Sequence, residues 1–149
     1  MSWTVARDWT TGELISAAIM NSAVRDNLNA LNPGGLTIDL TGNGAVITTG
    51  SYTRFEMPFS VCAQRATLIA PGQPSTLQIS LCKAPYASLL SPSLISGASP
   101  PTLCAASTVQ MTSLSTWTAQ WDQGDWIVVN VVGCSGITRA QLGLWWNRI

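Results

Sequence analysis

Between residues 9 and 31 the apolar positions advance in alternating steps of three and four: Leu14, Ala17, Val24, Leu28 and Leu31, with Asn21 in the same phase. That spacing predicts an amphipathic helix whose stripe is a heptad seam carrying one polar residue at an a position. Thr10 and Glu13 have the spacing of a capping box, and Ser16 is a second N-cap, so the start is set to within a turn or two. Pro33, Gly34 and Gly35 end the helix, because proline cannot continue it and glycine favours the exit turn. The stripe suits packing on the chain's own domain or on other chains. A helix this short is marginal alone, so sister copies or a host particle would supply the missing stability.

From residue 36 the period changes to two. Residues 36–40, 45–49, 52–57, 65–70 and 77–82 each read as a strand, and 117–121, 125–132 and 139–146 continue the series. Turn residues separate them, notably Gly42, Asn43 and Gly44. Short strands at regular spacing predict a mainly β chain: an antiparallel β-sandwich of jelly-roll type preceded by an N-terminal α-helix. The organisation expected is 1–35 as an anchor and trimerisation helix and 36–149 as the sandwich. Residues 84–101 are rich in Pro and Ser and too long for an idle connection, which predicts a functional loop or short helix over one end of the sandwich.

Charge narrows the function classes. Seven basic residues balance seven acidic ones, and charged residues make up only 9% of the chain. A surface with so little charge is better kept in an assembly than bare in solution. The basic residues are scattered, which argues against nucleic acid, since phosphate binding needs them clustered. No basic start leads into a long apolar run, and the longest apolar stretches are too short to span a bilayer, so neither a cleaved signal nor membrane insertion is expected. Synthesis in a cytoplasm is the expectation.

The chemistry-bearing residues are few. With no histidine, the commonest general base is missing and triads of the Ser-His-Asp or Cys-His type are excluded. Asp122 and Asp125 flank one tight turn, a poor placement for a glycosidase pair. No catalytic residue, cofactor or metal site is expected. Cys62, Cys82, Cys104 and Cys134 are widely spread, so a zinc site would need four distant sulfurs brought together. They read either as packed strand thiols or as one or two disulfides, with three pairings open. Trp145 and Trp146 are adjacent, so in a strand one of them faces outward, toward an oligomer interface in preference to a sugar. Tyr86, Trp117 and Trp121 form the candidate ligand surface. Trp3 and Trp9 precede the helix and read as anchors.

The segment from Trp9 to Leu31 also resembles the N-terminal segment of small tailed-bacteriophage virion and prophage tail proteins. The matching residues are Gly12, Glu13, Ala17, Ala18, Asn21, Arg25, Asp26, Asn27 and Leu28. A second resemblance covers about residues 50–149, to the closing β-sandwich of phage tail and appendage proteins. It rests on Pro101, Thr102 and Leu103, then Trp117 and Thr118, then Gly124 and Asp125, then Thr138 and Arg139, and finally Leu142, Gly143 and Leu144. In that reading Gly124 and Asp125 turn a hairpin, and the strand opened by Arg139 pairs with the one before it. The cysteines look like additions to the pattern. The resemblance implies a non-enzymatic virion structural protein, a homotrimer with Leu14, Ala17, Asn21, Val24, Leu28 and Leu31 at its interface. It would be a capsid decoration or head fibre, or else a tail fibre or appendage, partnered by other phage structural proteins and in some cases a host receptor. A receptor- or carbohydrate-binding module of a tail tip is the alternative.

Overall fold

The computed structural model describes residues 11, 12, 14, 16–21, 24, 33–72 and 75–149. The chain separates into two compact units, Met1–Pro33 and Gly34–Ile149.

In the first unit the described helix, α1, is a single turn, Ala17–Met20. Ser16 caps it in an extended conformation, its Oγ accepting from the Ile19 amide at 3.3 Å. None of the four helical residues is buried. Asn21 and Val24 also have helical backbone, of π type, while residues 11 and 12 form a turn and the other positions of the helix expected beyond Val24 lie outside the described residues. Ala17 and Asn21 are exposed, as are Leu14 and Val24. Leu28, Leu31, Trp3, Trp9 and the Thr10–Glu13 box lie outside the described residues.

Among the described residues from Pro33 on there are ten strands, in two antiparallel sheets. They are β1 Pro33–Thr41, β2 Gly50–Glu56, β3 Val61–Ile69, β4 Ser75–Pro85, β5 Ser93–Leu94, β6 Thr102–Ala106, β7 Thr108–Met111, β8 Gln120–Trp121, β9 Asp125–Ser135 and β10 Arg139–Arg148. One sheet runs β1-β10-β3-β7, with β8 also on β3. The other runs β2-β9-β4-β5, with β6 also on β4. Without the two-residue strands β5 and β8, the order is β1-β10-β3-β7 over β2-β9-β4-β6, the paired Greek keys of a jelly roll. The expected fold class is therefore the observed one.

That topology corrects two hairpins. Gly124 does turn the chain at φ +85, and the Asp125 amide donates to Asp122 O at 3.0 Å. But β8 lies on β3 and β9 lies on β4, so the turn carries the chain between sheets. Likewise β10 pairs with β3 and β1, not with β9 before it. Residues 45–49 are not a strand either. Only Ile47 enters the core, and its amide donates to Ile137 O at 2.8 Å, so one anchored side chain imitated a strand pattern.

Alternation along the long strands fills the space between the sheets. Leu77, Ile79 and Leu81 of β4 and Ile127, Val129 and Val131 of β9 meet Ala66 and Leu68 of β3 and Leu142 and Leu144 of β10 in one cluster. Each such aliphatic side chain contributes about 1.5–3 kcal/mol by leaving water. Trp121 and Trp146 complete the core, their rings edge to face at 6.4 Å. The Tyr52 hydroxyl bonds both backbone groups of Thr41, tying β2 to the end of β1.

Candidate functional site

A sandwich offers a ligand or partner its two outer faces, and here those faces differ in chemistry. On the β1-β10-β3-β7 sheet the register sets Trp145 opposite Arg65 and Gly143 opposite Thr67, with Gln110 beyond Thr67. The Trp145 ring lies where a side chain on Gly143 would be, and its edge reaches Gly35 of β1. The Arg65 guanidinium stands 4.1 Å from that ring's centroid, a cation–π distance. Arg65 Nε and Thr67 Oγ1 are buried there without a hydrogen-bond partner. One position on, Gln141 Nε2 donates to Asp39 Oδ1 at 2.8 Å, and Arg139 lies 3.8 Å from the same oxygen. A shallow depression lined by Pro71, Arg139, Ala140 and Gln141 continues this polar face.

The outer face of the β2-β9-β4-β5 sheet has an apolar end, next to a polar row of Ser51, Asn130 and Ser80. One row across the four strands is Arg54, Val128, Cys82 and Leu94, and the next is Glu56, Trp126 and Ala84. Cys82, Ala84 and Val128 are buried yet are not members of the core between the sheets. Tyr86, in the one-turn 3-10 helix Tyr86–Ser88 after β4, sets its ring 6.2 Å from that of Trp126. Tyr86, Leu90 and Leu94 stand out into solvent.

Of the expected ligand residues, only Tyr86 is on a surface. Trp117 is 7% exposed and Trp121 not at all. Their indole N–H groups donate to Ser99 O at 3.0 Å and Thr118 O at 3.1 Å, so both rings are core and present no face to a ligand. The adjacent tryptophans behave as strand parity requires, with Trp146 inward and Trp145 outward. Missing from the sequence reading were Trp126, Arg65 and Leu94. Trp126 precedes the apolar run 127–129, where alternation is hidden because both faces of β9 are apolar.

All four cysteines are free thiols. Cys134 pairs with Leu77 of β4 while Cys104 follows Leu103, which pairs with Leu77 from the other side. Two strand spacings, about 10 Å, then separate them, beyond the reach of about 7 Å for a disulfide. Cys62 and Cys82 lie in different sheets. Burial pushes the Cys82 thiol up from its ordinary range, and Asn130 Nδ2 donates to its sulfur at 3.5 Å.

The close carboxylates serve structure. Asp125 Oδ2 takes the Lys83 ammonium at 3.0 Å and the Asp122 amide at 2.9 Å, while Lys83 also donates to Gln120 O at 3.2 Å. This ion pair fastens β4 and β9 to the β8 run. Among the described residues no group of three or more Cys, Asp or Glu side chains is placed to hold a metal ion. Among them also, no helix is long and apolar enough to cross a membrane.

No family model matches the chain, and no curated protein matches it. By structure it is similar to a chain in "Structure of infectious bursal disease virus Gx strain", at 12% identity and a TM-score of 0.27. The match covers 78% of this chain and 37% of that one, and at that level it carries no assignment.

Proposed function

We propose that this chain is a structural component of a bacteriophage particle that acts by assembly. The segment before β1 anchors and trimerises, and the jelly roll is carried on the particle surface. The observation that carries the reading is the exposed Tyr86 and Leu94 at the apolar end of the β2-β9-β4-β5 sheet, on a chain with only 9% charged residues. The phage-like pattern from Gly12 to Leu28 supplies the kind of particle. Leu14, Ala17, Asn21 and Val24 are exposed in the single chain, as positions awaiting a sister chain would be. The resemblance suits capsid decoration or a head fibre, and also a tail appendage. Its partners are then its own copies and a capsid or tail protein, and its location is the virion, after synthesis in the host cytoplasm.

Native mass of the full chain tests this. The expected species is a trimer, three times 15.8 kDa, unaltered by reductant because the thiols are free. A chain that stays monomeric at concentrations of about 100 µM would remove assembly as its mechanism.

A second reading has its own observation. Trp145, flanked by Arg65, Asp39 and Gln141, gives the polar face an aromatic ring beside hydrogen-bonding groups, a pattern suited to a host glycan. A glycan array should then give a signal that Trp145→Ala abolishes while the thermal midpoint stays close to wild type. An array blank at all glycans would leave that face without a ligand of this class.

A further inference from the structure

We propose that the outer face of the β1-β10-β3-β7 sheet binds an acidic glycan, whose carboxylate or sulfate is taken by the Arg65 guanidinium held against the Trp145 ring. The inference rests on the glycan reading of this face and names the class of glycan.

Arg65 is a half-buried cation without a counter-ion. Among the described residues Lys83 has Asp125 and Arg139 has Asp39, but no carboxylate pairs with Arg65. Asp39, on the same face, is also engaged by Gln141. Among the described residues no hydrogen bond reaches the guanidinium either. Its Nε is buried and unpartnered, as is Thr67 Oγ1 two residues along β3, while its terminal nitrogens are not among the buried atoms. Arg54 also lacks an ion pair, but it is exposed and water satisfies it. A charge partly withdrawn from water and left unpaired is unfavourable, and an oxyanion brought to it relieves that.

The cation is also held in place. Its guanidinium carbon stands 4.1 Å from the Trp145 centroid, and contact with the ring fixes the plane of the fork. Two glycines seat the ring: a Cβ on Gly143 would lie 2.4 Å from its Cη2, and one on Gly35 would lie 3.0 Å from its Cδ1. A fixed planar fork donates two parallel hydrogen bonds to one oxyanion, which an ammonium does not. The surroundings favour a sugar over a protein as the bearer of that anion. Gln141, Ile69 and Thr108 form one row across the face, and Gly143, Thr67 and Gln110 form the next. Those rows hold amides and hydroxyls around one aliphatic side chain, whereas a protein interface is built on an apolar core. Neutral hydrogen-bonding groups beside a single cation match a polyol that carries one negative charge.

The test is binding of the labelled full chain to an array of carboxylated, sulfated and neutral glycans, with immobilised polyglutamate as a protein-like carboxylate. The strongest glycan is then titrated against wild type and variants. Signal is expected on acidic glycans alone, and the carboxylated and sulfated spots tell which oxyanion is read. Arg65→Gln should weaken binding by about 10- to 100-fold, the loss of a charge-assisted pair. Arg65→Lys should lose nearly as much, because it keeps the charge but not the fork, and it carries the test if the glutamine variant fails to fold. Gly143→Ala keeps both side chains but displaces the ring, and should also bind more weakly. Arg54→Gln, on the other sheet, is the control and should bind as wild type does. Circular dichroism should show all the variants folded. Equal signals on neutral and acidic glycans, or an unchanged titration for both Arg65 variants, would overturn this inference and leave the glycan reading standing. Polyglutamate bound with every glycan blank would assign the cation to a protein partner and overturn the sugar. An array blank throughout would overturn the inference and the glycan reading together.

Discussion

Replacing Trp121 with alanine is expected to lower the midpoint of thermal unfolding by about 10–20 °C, a loss of roughly 3–5 kcal/mol. Trp121 is fully buried on β8, opposite Val61 of β3, with its ring against Trp146. Truncation removes the largest fully buried side chain and leaves a cavity that two sheets cannot close, since both are held by their own ladders. It also strands Thr118 O, which accepts the indole N–H. For a domain of ordinary stability that is a large share of the total. Trp121→Phe should lose less, because it keeps most of the volume and gives up the hydrogen bond. The check is a circular dichroism melt, with Trp145→Ala beside it as the outward-facing comparison. A Trp121→Ala midpoint within about 3 °C of wild type would mean that the ring is not core, and would restore it to the candidate ligand surface.

What could be read from the chain alone follows from how local each signal is. The long strands were legible because alternation is a property of consecutive residues: 36–40 fall within β1, 77–82 within β4 and 139–146 within β10. Strand parity also put Trp145 and Trp146 on opposite faces. Strands β6 and β7 were missed, because 102–111 carry small and hydroxylated residues in place of large apolar ones, and Ala105 breaks the run with a left-handed φ of +51. Which sheet a strand joins is not a local property at all. Gly124 and Arg139 open strands that could pair with their predecessors, and only the closure of the whole sandwich sends them across. The same limit governed the candidate site: the apolar end joins Cys82, Leu94 and Val128 through register, from strands far apart in sequence.

Gly97→Ala should be the second strongly destabilising change, at about 3 kcal/mol, although it adds one methyl group to a segment that reads from sequence as a loop. Gly97 has φ +54, and a Cβ placed on it would overlap the backbone carbonyl of Thr116, which cannot rotate away. The surrounding chain has no slack. Ile95 N and Ser96 N donate to Leu81 O at 2.8 and 3.2 Å, Leu81 N donates to Ser96 Oγ at 3.2 Å, and Thr118 N donates to Ile95 O at 3.0 Å. Trp117 Nε1 holds Ser99 from the other side. This segment is therefore a strap across the edge of β4, and moving Gly97 aside would break its bonds to β4 and to the run that leads into β8. Gly72→Ala separates the two causes of strain. Gly72 also has a left-handed φ, +69, but no atom lies within 4 Å of its missing side chain, so it should lose only about 1 kcal/mol. Urea unfolding of both variants, with slopes equal to wild type, measures the difference. Equal midpoints for the two would show that the strap yields to the methyl group and does not grip the sandwich. A Gly97→Ala midpoint well below that of Gly72→Ala places residues 93–101 in the folded framework.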